Sequence, residues 1–357
     1  MASPATGSRR EGRGAVYNPK NRFERLEYVP IPDDSTDDLD RTAPRTVFLR
    51  DDSQTILSWN DSPDVSFNAG VNPYRGCEHG CAYCFARPTH EYLGFSAGLD
   101  FESKIVVKPN APELLRAALS KKSWKPQVIA MSGVTDCYQP IERRLELTRR
   151  CLAVLAEFRN PVALITKNHL ITRDIDILRE MAAHRTVVAN VSITTLDGEL
   201  AKVLEPRASP PSRRLAAIAE LHAAGIPVRV MMAPVIPGLT DHEMPALLSA
   251  AARAGACGAS YVALRLPWAV APLFEAWLER YAPGHKDKVL NRIRDMRGGK
   301  LYDARWGKRS LGEGFFAEQM GALFELARRK AGLTGDVPEL STTAFRVPTE
   351  QLPLFPD

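Results

Sequence analysis

Arg75-Gly-Cys-Glu-His-Gly-Cys-Ala-Tyr-Cys-Phe-Ala-Arg-Pro88 carries three of the chain's six cysteines, Cys77, Cys81 and Cys84, spaced Cys-x3-Cys-x2-Cys. Three clustered thiolates are one short of the four that normally hold a cubane iron–sulfur cluster. The deficit is informative, because an iron without a protein ligand is free to bind a small molecule. Tyr83 stands just before the third cysteine. A zinc site is the competing reading, with His79 or His90 as the fourth ligand of a tetrahedral set. Structural zinc motifs pair two Cys-x2-4-Cys arms, and this sequence has no second arm. A disulfide framework does not suit the context. The start, Met-Ala-Ser-Pro-Ala-Thr-Gly-Ser-Arg-Arg, lacks the apolar core of a secretory signal.

Outward from this motif, the composition describes an ordinary globular chain. Its 357 residues are 45% hydrophobic and 25% charged, with a formal net charge of +5. That length suits one large α/β domain or two smaller ones. No apolar run approaches the roughly 20 residues needed to span a bilayer, so a cytoplasmic, reducing setting without a membrane is expected. Residues 1–63 read as a polar, irregular extension, basic through Arg25 and then acidic over Asp33–Asp40. Thr46–Leu49 is a strand-like piece within it.

From residue 64 short apolar strands alternate with amphipathic helices. The expected strands are Val65–Ala69, Val128–Ser132, Val162–Thr166, Val187–Thr194, Val228–Ala233 and Tyr261–Leu264. The expected helices between them are Leu114–Leu119, Ile141–Phe158, Ile171–Ala183, Ser212–Ala224 and Asp241–Ala254. Phe101–Lys108 reads as an extra extended edge. Six βα units joined by right-handed crossovers predict an α/β fold, a partial (β/α)6 TIM-like barrel. It is expected over 64–268, followed by a helical C-terminal region over 269–335 and an irregular tail over 336–357. In such sheets reactive groups collect at the C-terminal strand ends, and the cysteines closely follow the first strand.

The cysteine spacing resembles that of radical S-adenosylmethionine (radical SAM) proteins. The order of Thr166-Lys167, Leu204-Glu-Pro206 and Ala233-Pro-Val-Ile236 is similar to that of spore photoproduct lyase and its bacterial relatives. Asn72-Pro-Tyr-Arg-Gly-Cys77, Thr135-Asp136 and Tyr138-Gln-Pro-Ile-Glu142 match those relatives over residues 65–265. The resemblance implies a [4Fe–4S] cluster on Cys77, Cys81 and Cys84 whose open iron binds S-adenosyl-L-methionine. It implies reductive cleavage to a 5′-deoxyadenosyl radical, with an electron donor such as flavodoxin or ferredoxin as partner. It also places a short turn, matched by Ser132 and Gly133, against the methionine amino group.

Other strand ends offer further cofactor contacts. Lys167 suits the methionine carboxylate, and Ser192 and Thr194 share one strand face suited to the ribose. Glu205 and Arg207 sit on a Pro-rich loop, and Met232–Gly238 is an apolar wall for the adenine. Each residue taken singly reads equally well as a cap or surface group. The repair enzyme uses a cysteine after its second strand as hydrogen donor, where this chain has Gly133. Cys137 is the nearest thiol and so a candidate donor, with inert packing as its alternative; Tyr138 beside it is a second candidate that donates less readily. Between Lys286 and Arg309 nine Lys/Arg face three Asp, interleaved with Tyr302 and Trp306. Two readings stay open there, a solvated face or a nucleic-acid surface. Two function classes also stay open: a radical SAM enzyme, or a non-catalytic iron–sulfur protein that senses redox state.

Overall fold

The structure, a computed structural model, describes residues 12–24, 45–334 and 339–348. Its strands are β1 (Val47–Arg50), β2 (Leu57–Trp59), β3 (Ala69–Val71), β4 (Tyr74–Arg75), β5 (Lys104–Val107), β6 (Ile129–Met131), β7 (Val162–Thr166), β8 (Val187–Ser192), β9 (Val228–Val235) and β10 (Gly258–Ala263). The α-helices are α1 (Leu99–Ser103), α2 (Ala111–Leu119), α3 (Glu142–Leu145), α4 (Leu147–Phe158), α5 (Ile175–Ala183), α6 (Gly198–Leu204), α7 (Pro211–Ala223), α8 (Met244–Arg253), α9 (Val270–Tyr281), α10 (Lys286–Asp295) and α11 (Phe315–Lys330).

One sheet runs β10-β9-β8-β7-β6-β3-β2, in which β3 and β6–β10 are parallel and β2 is an antiparallel edge. These are the six expected βα strands, and the sheet keeps two edges, as an open barrel must. A small sheet, β1-β5-β4, lies beside it. Alternation explains the layering. Val162, Leu164, Val187, Ala189, Val191, Val228, Val230 and Met232 pack against Leu152, Leu155, Leu178, Leu221 and Leu248 of the outer helices. The intervening Ile165, Asn190, Ser192, Met231 and Ala233 therefore belong to the concave face. No helix among the described residues is long and apolar enough to cross a membrane.

Several expectations shift. The first parallel strand is Ala69–Val71, not Val65–Ala69: its ladder partner is Ile129–Met131, whereas Val65 is exposed and Asn68 closes a hairpin onto Asn60. Because β2 joins the main sheet, the barrel begins before residue 64. Phe101–Lys108 is helix and then strand, since Asp100 accepts the N–H of Lys104 and holds a last turn before β5. Ile141–Phe158 is two helices, broken at Glu146, whose φ of 49° is left-handed. The N-terminal extension is partly built into the fold, with Arg13 and Ala15 buried. The expected acidic stretch, Asp33–Asp40, and most of the 336–357 tail lie outside the described residues.

Candidate active site

The cysteine loop leaves β4 and is locked by backbone and side-chain bonds together. Cys77 N–H donates to the Phe101 carbonyl at 2.9 Å and Ala82 N–H to the Leu204 carbonyl at 3.0 Å. Arg87, wholly buried, donates to the carbonyls of Gly80 and Cys81 and to Glu102. Gly80 has φ 66°, and a Cβ there would sit 2.3 Å from Glu102 Oε2, so only glycine fits. Cys77 and Cys81 are buried and Cys84 is half-buried.

The remaining cysteines lie elsewhere. Cys137 and Cys151 are buried in the layer beneath the outer helices, and Cys257 precedes β10 at the opposite, N-terminal strand edge. The zinc candidates are also turned away. His79 Nδ1 faces Asp136 at 3.3 Å while its Nε2 meets Asn168 at 3.3 Å; His90 Nε2 meets the Lys104 carbonyl at 2.9 Å. Among the described residues no three His, Cys, Asp or Glu side chains converge as a single ion requires. A cubane spreads its cysteines over different irons and needs no such convergence. The donor set, three thiols on one rigid loop, fits the cluster.

Behind Cys84 the strand ends meet in one polar network. Glu205 accepts from the Tyr83 hydroxyl, from Thr194 Oγ1 at 2.8 Å and from Arg214, while Lys167 Nζ lies 3.7 Å away. Burial pushes the Glu205 carboxyl up, but Arg214 and Lys167 outweigh it and hold the pKa at about 2. Lys167 Nζ also donates to the Ala233 carbonyl at 2.8 Å. Tyr83, Lys167, Thr194 and Glu205 are thus brought together. Ser192 is buried beside them, its carbonyl receiving Arg214. Of the expected apolar wall Met232–Gly238, Ile236 clusters with Cys81, Ala82 and Tyr83 at the cysteine loop, while Met232 and Val235 belong to the main core beneath the outer helices.

Other candidates fall differently. Ser132, at φ 86°, donates to the Thr135 carbonyl and accepts from Cys137 N–H, both at 2.6 Å, so its hydroxyl is spent on shaping the turn. Gly133 borders open space on that turn. Arg207 leaves the network for Glu78 at 3.2 Å. Cys137 and Tyr138 sit in the main core layer rather than in the strand-end network. Both are fully buried, and Tyr138 Oη donates to Asp174 Oδ2 at 3.1 Å, at the N-terminus of α5 on the convex side. Burial pushes both groups' pKa values up, so Cys137 stays a neutral thiol.

The sequence reading undervalued Asp136 and missed Arg214. Asp136 accepts from Thr166 Oγ1 and Lys167 N–H, both at 2.7 Å, and faces His79, tying β7 to the cysteine loop. Burial opposes its charge, but His79 and these hydrogen bonds prevail and lower its pKa. Arg214 carried no motif signal; only the fold brings it to Glu205.

The basic run 286–309 is largely neutralised. Lys286 pairs with Glu275 and Glu279, Arg292 with Asp241, Arg305 with Asp303 and Glu313, Lys308 with Glu313, and Arg309 with Asp64. Arg297 is buried on the carbonyls of Leu264 and Lys308. Aromatic groups instead gather beside the third cysteine. The Arg265 guanidinium lies 4.6 Å from the ring centre of Phe85, and Trp268, 57% exposed, pairs with Tyr302.

The profile of the radical SAM superfamily matches residues 71–251, half of the chain. An uncharacterised protein of Mycobacterium tuberculosis is 39% identical over 234 residues, covering 65% of this chain and 68% of the relative. One from Methanocaldococcus jannaschii is 31% identical over 173 residues, covering 48% of this chain and 62% of the relative. Spore photoproduct lyase complexed with dinucleoside spore photoproduct shares the fold, with a TM-score of 0.57 at 15% identity over 79% of each chain. With the superfamily go its two cofactors, a [4Fe–4S] cluster and S-adenosylmethionine. The cysteine loop, the strand order and the matched span together show that the chain belongs to the radical SAM superfamily.

Proposed function

We propose that Cys77, Cys81 and Cys84 hold the cluster, and that the chain generates a 5′-deoxyadenosyl radical from S-adenosylmethionine to act on a nucleic-acid substrate. One observation carries the cofactor assignment: three cysteines on a locked loop beside the strand ends, with the other cysteines in the outer layer or at the far edge. When bound, the cluster supplies the electron that splits the sulfonium. This chain's residues orient and shield. Lys167 presents its ammonium to the methionine carboxylate while Glu205 and the Ala233 carbonyl hold it in place. The turn at Gly133 offers backbone groups to the amino end, and Ser192 and Thr194 serve the ribose. Ile236, Leu239 and Leu264 form an apolar flank that excludes water.

Nucleic acid as substrate class is supported by Phe85, Arg265, Trp268 and Tyr302, which suit stacked bases. The structural neighbour bound to a dinucleoside photoproduct is in keeping with this. The paired basic run adds little. A redox-sensing protein would need the cluster alone, whereas the Tyr83–Thr194–Glu205–Lys167 network at the strand ends favours an enzyme.

Anaerobic reconstitution followed by assay for 5′-deoxyadenosine from S-adenosylmethionine tests the first part. Cluster-loaded protein that releases none with dithionite would sink it. For the second, Trp268→Ala is expected to weaken single-stranded oligonucleotide binding by about 1–3 kcal/mol. Equal affinity in the variant removes the stacking assignment.

A further inference from the structure

Two hollows adjoin the first cysteine's end of the loop, away from the aromatic group beside Cys84. One, of about 500 Å³, is lined by Arg13, Arg45, Arg144 and Arg207; the other, of about 320 Å³, by Arg143, Arg207 and Arg213. They share Pro140 and Arg207, and the single carboxylate in either lining is Glu78, the residue after Cys77. Glu78 is already engaged, accepting from Ile141 N–H at 2.8 Å and from Arg207. Arg45, Arg143, Arg144 and Arg213 form no ion pair among the described residues, unlike Lys286, Arg292, Arg305, Lys308 and Arg309 of the basic run. Burial first, and then repulsion from Arg207, lower the Arg13 pKa, against the pull of Glu102 and Glu78.

We infer that this arginine face docks a small acidic electron-carrier protein. The inference rests on the proposed cluster chemistry and names the partner that chemistry requires. Reductive cleavage of a sulfonium consumes one electron, and the donor must come close to the cysteine loop to deliver it. Groups that touch the cysteine loop line both hollows. Glu78 walls the larger hollow, and Asn168 in the smaller one contacts His79 Nε2 at 3.3 Å. Arg207 N–H donates to the His79 carbonyl at 3.3 Å. One electron would pass from the carrier, oxidised by one unit, to the cluster that Cys77, Cys81 and Cys84 would hold; no bond forms or breaks at this surface. Charge of one sign steers an acidic partner and fixes its orientation. Nucleic acid also offers negative charge, but the hollows hold one ring each, Phe48 in the larger and His169, tied to Glu220, in the smaller, so successive bases find no stacking platform here.

The test uses the full chain, purified acidic flavodoxin and purified acidic ferredoxin as probes, and the variant Arg45→Glu/Arg144→Glu/Arg213→Glu. Calorimetry on cluster-free and cluster-loaded protein is expected to show at least one carrier binding in a salt-sensitive manner. Affinity should fall at least tenfold in the triple variant, with dithionite-driven cleavage of S-adenosylmethionine unchanged. Should the triple variant misfold, Arg144→Gln and Arg213→Gln singly are expected to weaken binding about threefold each, as rim charges do. Wild-type protein that cleaves with dithionite yet binds neither carrier overturns the inference, as does carrier affinity unaltered in the variants. So does an oligonucleotide that takes this face when neither carrier does. Failure of cleavage with dithionite in the wild type sinks the cofactor reading instead, and is told apart by that readout.

Discussion

Arg87 and Glu102 form an ion pair in which neither side chain is exposed, Nη2 to Oε1 at 3.0 Å. Arg87 spends its other donors on carbonyls of the cysteine loop and on those of Ala97 and Gly98, while Glu102 accepts from the N–H groups of Gly14 and Ala15. One buried pair therefore joins the N-terminal segment to the cysteine loop. Gly14 packs so closely that a Cβ would lie 1.6 Å from the Gly80 carbonyl oxygen.

Glu102→Ala leaves Arg87 buried and unpaired, at an expected cost of about 3–5 kcal/mol. Gly14→Ala leaves the pair intact but forces the segment off the loop. Limited proteolysis within residues 12–24 and iron retention on desalting should both report the release. Unchanged protease resistance in Gly14→Ala would contradict the contact.

Each of Cys77→Ala, Cys81→Ala and Cys84→Ala is expected to abolish the brown chromophore and cofactor cleavage. Cys257→Ala, at the far strand edge, should retain both. Iron and sulfide analysis of anaerobically prepared protein checks this. Full iron in Cys81→Ala, or stoichiometric zinc in the wild type, would refute the ligand set.

Glu205 titrates at about 2 when folded against an ordinary 4.5. A carboxyl with a lowered folded pKa stabilises the fold above the unfolded value. That contribution is lost as pH falls from about 4.5 toward about 2. Urea unfolding of wild type and Glu205→Gln should therefore show a stability gap at neutral pH that narrows through this window. A constant gap would mean the charge is not what Arg214 and Lys167 hold.

Cys137→Ala is expected to leave cluster content, cofactor cleavage and product identity intact, and to cost about 1 kcal/mol of lost burial. Tyr138→Phe removes the hydrogen bond to Asp174 and should cost about 1 kcal/mol likewise. Deuterium incorporation into 5′-deoxyadenosine in deuterated buffer, compared between wild type and Cys137→Ala, is the sharper measurement. A change there would restore the thiol to the reaction.

The sequence alone marked the three clustered thiols and the succession of six parallel strands. Both are local properties: three thiols within eight residues, and strand and helix periods that alternate along the chain. Strand parity also placed Ser192 and Thr194 on the concave face, because side chains alternate whatever the tertiary context. The first strand slipped, since Val65, Phe67 and Ala69 alternate as a strand does while the ladder partner that selects Ala69–Val71 lies at Ile129–Met131.

What a polar residue does with its charge was decided only by tertiary structure. Arg309 is neutralised by Asp64, and Glu205 is shared between Arg214 and Lys167; no spacing rule foretells such pairs. Cys137 reads as reactive when counted from the cofactor turn, yet Ser132 curls that turn and sends the thiol beneath the outer helices. Periodicity assigns a face to a residue. Its partners come from other segments of the chain, and the desolvation and pairing they impose set its chemistry.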